Sequence, residues 1–259
     1  MLINKAWPTI NISTVFIDFF LFNHSVLNKF DCKTITRYDK HSRNDYDLQS
    51  CFYTDNSLVL FFLNFQASDF IFVMDGEFMV KIVGIGGSLR HNSYTQLALQ
   101  VAAKRLEAIG ADVEILDLRQ LQLPFCNGEK EYPEYPDVQR LRETVSGANG
   151  LILATPEYHG GVSGVLKNAL DLMSFTELSG KVTGLISVLG GQSNSNALND
   201  LRLIVRWVHG WVIPEQIAIG QAWSAFNPEG KLLDEKLSQR FDEFAQSLVD
   251  STRKLQGIN

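Results

Sequence analysis

Ser88, Arg90 and Ser93 bring two hydroxyls and a guanidinium together within the six residues SLRHNS, and Thr95 adds a third hydroxyl. A guanidinium fork with hydroxyl donors beside it is matched to a phosphate. The flanking sequence supports that chemistry. Ahead of the loop, residues 80–85 (VKIVGI) form an apolar, β-branched run that predicts a buried central strand, broken at Gly86-Gly87. Behind it, Leu97, Leu99, Val101, Ala102 and Leu106 recur at helical spacing up to Gly110, a C-cap residue. Free N–H groups and the dipole at the start of that helix favour an anion.

Two other phosphate loops are excluded by their own residues. A P-loop needs Gly-Lys-Ser/Thr, and no Lys follows these glycines. A dinucleotide fingerprint begun at Gly84 meets Leu89 where its third Gly belongs, and begun at Gly86 it meets Ser88. Asp117, at the end of the next strand, reads either as a ribose-binding acid or as a strand-end carboxylate, and the second is favoured. The cradle suits one terminal phosphate better than a pyrophosphate.

Two further glycine-bearing loops would share its edge. Residues 155–164 (TPEYHGGVSG) leave a third strand; their glycines allow close backbone approach, and Tyr158 and His159 add flat surfaces. Residues 189–194 (LGGQSN) leave a fourth strand and offer unhindered N–H groups and the Gln192 amide. The elements that must position these loops follow from periodicity. Strands are expected at 80–85, 112–118, 150–155, 181–189 and 211–219, and helices at 137–146, 162–173, 196–209 and 232–255. Strands alternating with helices predict an α/β fold, a parallel sheet with helices on both faces, whose ligands sit at the carboxyl ends of its strands.

Residues 1–78 differ from the rest. They hold 12 of 17 Phe but one of 19 Gly, Gly76, and their apolar runs at 10–22 and 58–73 have neither a clean helical nor a clean strand period. Asp18, Asn64, Gln66 and Asp69 interrupt those runs, which argues against a membrane span. No signal-peptide pattern is present, and nine acids argue against a transit peptide. The composition is what AT-rich DNA yields when read as codons. The expectation is an atypical extension from a mis-assigned start, with translation beginning at Met79 or Met74 and the domain at 79–259; a genuine small N-terminal domain is the competing view. The net charge of -6 gives no reason to expect nucleic acid or an anionic membrane as partner. Cys32, Cys51 and Cys126 form neither a disulfide framework nor a metal spacing, which points to the cytoplasm.

Together, Gly87-Ser88-Leu89-Arg90-His91-Asn92-Ser93 and Pro156-Glu157-Tyr158-His159-Gly160, followed by GVLKNALD at 164–171, resemble the NADPH-dependent FMN reductases, which are flavodoxin-like flavoproteins. The resemblance runs from about Met79 to the last helix. It implies a five-stranded sheet of order 2-1-3-4-5 and an FMN cofactor reduced by NADPH or NADH. Ser88, Arg90 and Ser93 would hold the FMN phosphate. Pro156, Glu157, Tyr158, His159 and Gly160 would line the ribityl chain and ring, largely through backbone. Gly190, Gly191 and Gln192 would face the pyrimidine edge, where donors stabilise the charge of reduced flavin. His159, Ser163 and Thr95 stand where the family often has Asn, Pro and Asn. Hydride transfer to flavin N5 needs no protein acid, so no catalytic side chain is assigned. A small-molecule acceptor (free FMN, a quinone, an azo dye, chromate or a ferric complex) would follow the donor onto one stacking site. Pairing through the helices at 162–173 and 196–209 would give a homodimer or homotetramer.

Blander readings stand beside these. Ser88 and Ser93 would serve as helix caps, Arg90 as a solvated cation, and Lys167 and Asp171 as an i, i+4 ion pair. Trp207, Trp211 and Trp223 read as core or as interface. A non-catalytic electron carrier and a regulatory nucleotide-binding protein are the rival functions.

Overall fold

Apolar residues that alternate between the two faces of a strand need cover on both, and this decides the architecture. In the computed structural model, which describes residues 50–54, 57–62, 70–75, 79–192 and 196–257, the chain divides into two units, Met1–Glu77 and Phe78–Asn259. Within the first, three strands pair antiparallel in the order β1-β2-β3: β1 (Ser50–Thr54), β2 (Ser57–Phe62) and β3 (Phe70–Asp75). The run at 58–73, without clear period in the sequence, thus contributes to two strands. The rest of that run and the apolar run at 10–22 lie outside the described residues.

The second unit follows the expected alternation. Its elements are β4 (Lys81–Gly86), α1 (Tyr94–Ala108), β5 (Asp112–Leu116), α2 (Pro136–Ser146), β6 (Gly150–Tyr158), β7 (Gly161–Val162), α3 (Gly164–Asp171), α4 (Phe175–Leu178), β8 (Val182–Val188), α5 (Asn196–Trp207), β9 (Trp211–Ile219) and α6 (Glu235–Gln256). The parallel sheet runs β5-β4-β6-β8-β9, which is the order 2-1-3-4-5. A sixth strand corrects the expected five. β7 folds back antiparallel on β6, with Tyr158 opposite Gly161, and shortens the predicted helix at 162–173 to Gly164–Asp171. His159 and Gly160 between them have φ of 51° and 77°, the paired positive values of a type I′ hairpin turn. That backbone accounts for His159: Asn and His are among the side chains most often found at positive φ.

Neighbouring residues on one strand serve opposite cores. Ile82, Ile152 and Ile186 pack under α1 and α6, with Leu99, Leu106, Phe241 and Phe244. Val83, Leu153 and Leu185 pack under α2, α3 and α5, with Leu141, Leu166 and Leu201. Full burial of such side chains on both faces is the main stabilisation of a parallel sheet. β9 is an edge, and it accommodates Pro214 where its register with β8 slips between Thr183 and Leu185. At the far end from the strands' carboxyl edge, buried Lys181 donates from Nζ to the carbonyls of Ser146 and Ala148, closing α2. Burial pushes the pKa of its ammonium group down.

Candidate functional site

The chain leaves β4 at Gly86 and is fastened before it reaches the hydroxyls. Gly87 N donates to Ala154 O at 2.8 Å, and the Ser163 hydroxyl, which caps α3, donates to Gly87 O at 2.7 Å. The loop after β4 is therefore tied to β6 and to the second glycine-bearing loop. Beyond this anchor Ser88 is buried, while Leu89 and Arg90 are exposed. Ser93 is the N-cap of α1, its oxygen accepting from Gln96 N at 3.2 Å. The blander capping role is thus real, and it leaves the Ser93 O–H hydrogen available to donate outward. Tyr94 and Thr95 N–H, in the first turn, have no acceptor among the described residues.

Two hydroxyls stand out here. Ser88 and Thr95 are each 3% exposed, yet neither makes a hydrogen bond among the described residues. Their oxygens are not sealed within the protein. Both face a cavity of about 410 Å3 that Arg90 and Ser93 also line. Arg90 takes part in none of the ion pairs among the described residues. A cavity of this size falls within the range of about 300–1,000 Å3 usual for small-molecule sites.

From the second loop, Pro156, Glu157 and Tyr158 line the same cavity; from the third, Gly190 does, with Val188 and Leu189. His159, Gly160, Gly191 and Gln192 are not among its walls: the first two form the exposed hairpin turn, where a Cβ on Gly160 would lie 3.4 Å from Asn196 Nδ2. Glu157 turns its carboxylate into the protein. Its Oε2 accepts from Ala197 N at 3.0 Å, at the start of α5, so what it offers the cavity is mainly backbone. The third loop is held from behind by the segment after β9. Gln221 N donates to Gly191 O at 2.7 Å and Ala222 N to Leu189 O at 3.1 Å, and the Gly190 and Gly191 N–H groups have no acceptor among the described residues. Gly220 allows that approach: a Cβ there would lie 2.5 Å from Gln192 O. Ser193 and Asn194, also placed in this loop by the sequence, lie outside the described residues.

Three contributors escaped the sequence reading. Tyr94 lines the cavity and stacks on Phe226, ring centroids 5.9 Å apart. Trp223 lines it too and is 65% exposed, so neither it nor the exposed Trp207 and Trp211 belongs to the core. The loop after the fifth strand reaches the same edge as the other three, which was the available signal. The third is Arg119, beside Asp117. Asp117 caps the short turn at Leu118–Gln120 and forms an ion pair with Arg119 at 2.6 Å, which gives it the strand-end role and not that of a ribose ligand. Hydrogen bonding from Arg119 holds its carboxyl below the usual range. The stabilisation is therefore present above the ordinary aspartate pKa of about 3.9 and is lost as pH falls through the depressed value. Arg119 also donates from Nη1 to Arg90 O and His91 O, at 3.5 and 3.4 Å.

A parallel sheet of order 2-1-3-4-5 with helices on both faces and a cavity at the carboxyl ends of its strands defines a flavodoxin-like α/β protein. The structures it resembles agree on the fold: a flavoenzyme NAD(P)H:(acceptor) oxidoreductase from Paracoccus denitrificans superposes with a TM-score of 0.59 at 24% identity, over 68% of this chain and 98% of that one. The chain belongs to the NADPH-dependent FMN reductase family, whose model matches residues 80–224. It is 35% identical over 185 residues to an NAD(P)H-dependent FMN reductase of Pseudomonas aeruginosa, covering 69% of this chain and 98% of that protein. It is 33% identical over 169 residues to an FMN-dependent NADPH-azoreductase of Staphylococcus aureus, covering 63% and 90%.

Proposed function

We infer that the protein is an NAD(P)H-dependent flavin reductase that binds FMN and passes electrons on to a small-molecule acceptor. The observation that carries this reading is the pair of hydroxyls, Ser88 and Thr95, that make no hydrogen bond among the described residues and open on one cavity with Arg90, which has no carboxylate partner among those residues. These residues fit a phosphomonoester: three hydroxyl donors, a guanidinium and the start of a helix for one dianion. Bound there, FMN would supply the redox chemistry, accepting hydride at N5 and returning electrons to the second substrate. The chain's own part is to bind and orient. Ser88, Arg90, Ser93 and Thr95 hold the phosphate; Pro156, Glu157 and Tyr158 line the ribityl chain and ring, largely with backbone; Gly190 offers its N–H to the pyrimidine edge, while His159, Gly160, Gly191 and Gln192 stand outside the cavity walls. No side chain is assigned a proton transfer.

The test uses the full chain. The purified protein should be yellow, and NADPH added without oxygen should bleach it promptly. With both substrates varied, double-reciprocal plots should give parallel lines, because donor and acceptor take turns at one stacking site. Yellow protein that NADPH leaves unbleached favours an electron carrier; colourless protein that FMN cannot reconstitute removes the reading. An azo compound or quinone as acceptor is a second reading on the same site, favoured by the azoreductase among the relatives.

We also propose that residues 79–259 are the native reductase and that it acts in the cytoplasm as a homodimer or homotetramer, without nucleic-acid or membrane partners. The family match begins at residue 80. Among the described residues no helix is long and apolar enough to cross a membrane. Leu203 and Trp207 on α5, which are 70% and 78% exposed, supply apolar surface for pairing. Native mass spectrometry of the protein from its own source reads both points. A subunit near 29.1 kDa, the mass of all 259 residues, would sink the later start, and a monomer would sink the pairing.

A further inference from the structure

We propose that Arg119 is a positioning residue for flavin phosphate, acting through the backbone of residues 90–92; the proposal rests on the FMN reading above. Asp117 and Arg119 both stand just beyond β5, on the strand next to β4. The Asp117 carboxylate receives Arg119 Nε at 2.9 Å and Nη2 at 2.6 Å, a two-pronged grip that fixes the plane of the guanidinium. The remaining nitrogen, Nη1, is thereby aimed at the carbonyls of Arg90 and His91. Peptide planarity then does the rest. In a trans peptide the N–H points opposite to the C=O, so drawing these two carbonyls towards Arg119 turns His91 N–H and Asn92 N–H away from it. Neither N–H has an acceptor among the described residues. Successive N–H groups turned to one side of a loop make an anion-binding concavity, and these two lie between Arg90 and Ser93, which line the cavity although His91 and Asn92 do not.

The electrostatics separate this role from that of Arg90. Arg119 is neutralised by Asp117, whereas Arg90, whose own carbonyl is one of the two, has no carboxylate partner among the described residues. Arg119 thus supplies loop geometry and Arg90 supplies charge. The clamp would bear on a phosphate and on nothing else in the ligand. Lysine is no substitute at 119, since a single ammonium cannot grip both carboxylate oxygens in a plane and also reach two carbonyls.

The test compares FMN with riboflavin, which has the same ring and ribityl chain without the phosphate. Both are titrated into the full-length chain, stripped of flavin, as wild type, Arg119→Met and Arg119→Lys. FMN affinity is expected to fall about tenfold in both variants, the effect of losing one or two hydrogen bonds' worth of ordering, with riboflavin affinity unchanged. Asp117→Asn, which keeps Arg119 and loosens its grip, should lower the FMN-to-riboflavin preference by about threefold and covers the case in which a 119 variant fails to fold. An equal fall for both flavins, or a wild-type preference that survives in the variants, overturns this proposal alone. A wild-type chain that takes neither flavin overturns the FMN reading and this proposal with it.

Discussion

Ser88→Ala combined with Arg90→Ala should yield a folded protein that purifies without flavin. A hydrogen bond to a charged group is worth roughly 1.5–3 kcal/mol and a hydroxyl's about 0.5–1.5 kcal/mol, so removing both should weaken FMN binding by about two orders of magnitude or more. The fold should not suffer. The Ser88 hydroxyl has no hydrogen-bond partner among the described residues, so its removal orphans nothing, and Arg90 is exposed. The loop's anchors at Gly87 do not involve either side chain. Flavin per chain from the visible spectrum and Tm from a thermal melt separate the two effects. A yellow, fully loaded double variant would mean that the phosphate is held elsewhere, and the assigned cofactor site would go with it.

How much of this could be read from the sequence depended on the range of the interaction. The five main strands are runs whose alternate residues feed two cores, as Ile82 and Val83 do, and such runs declare themselves locally. Ser88, Arg90 and Ser93 are close in sequence, so their meeting in one cavity needed no knowledge of the fold. The hairpin at Tyr158–Val162 was harder, because a turn with both central residues at positive φ usually advertises Asn-Gly or Asp-Gly, and here it is built on His159-Gly160. What Glu157 does was not legible at all: its partner, Ala197 N, lies 40 residues away. Arg119 illustrates the same limit, since its acceptors at Arg90 and His91 are 29 and 28 residues back. Trp223 stayed ambiguous because an isolated aromatic has no period, and only the arrival of the loop after β9 at the cavity gives it a place.

Gly87→Ala should cost both stability and flavin, and its reason is space rather than backbone freedom. A Cβ at Gly87 would lie 2.5 Å from Ser163 Oγ and 2.7 Å from Leu166 Cβ, with Ala154 O at 3.5 Å. Two of these neighbours belong to the start of α3, and the same Ser163 hydroxyl donates to Gly87 O. Two effects oppose each other. Alanine narrows the unfolded ensemble, worth about 0.4–1 kcal/mol in favour of folding, whereas forcing a methyl into a filled contact costs typically 1–3 kcal/mol. With two neighbours inside 3 Å the second wins, and a net loss of about 1–2 kcal/mol lowers Tm by roughly 2–8 °C in a domain of this size. Flavin affinity should fall along with it, since the loop that carries Ser88 and Arg90 must leave its seat on α3. Ser163→Ala should not rescue the variant: it relieves the contact with Oγ, leaves the one with Leu166 Cβ, and removes the α3 cap at a cost of about 1 kcal/mol. Wild-type Tm and full flavin loading in Gly87→Ala would show that the two loops can slide past one another. The phosphate cradle would then owe its shape to the ligand and not to the weld between β4 and α3.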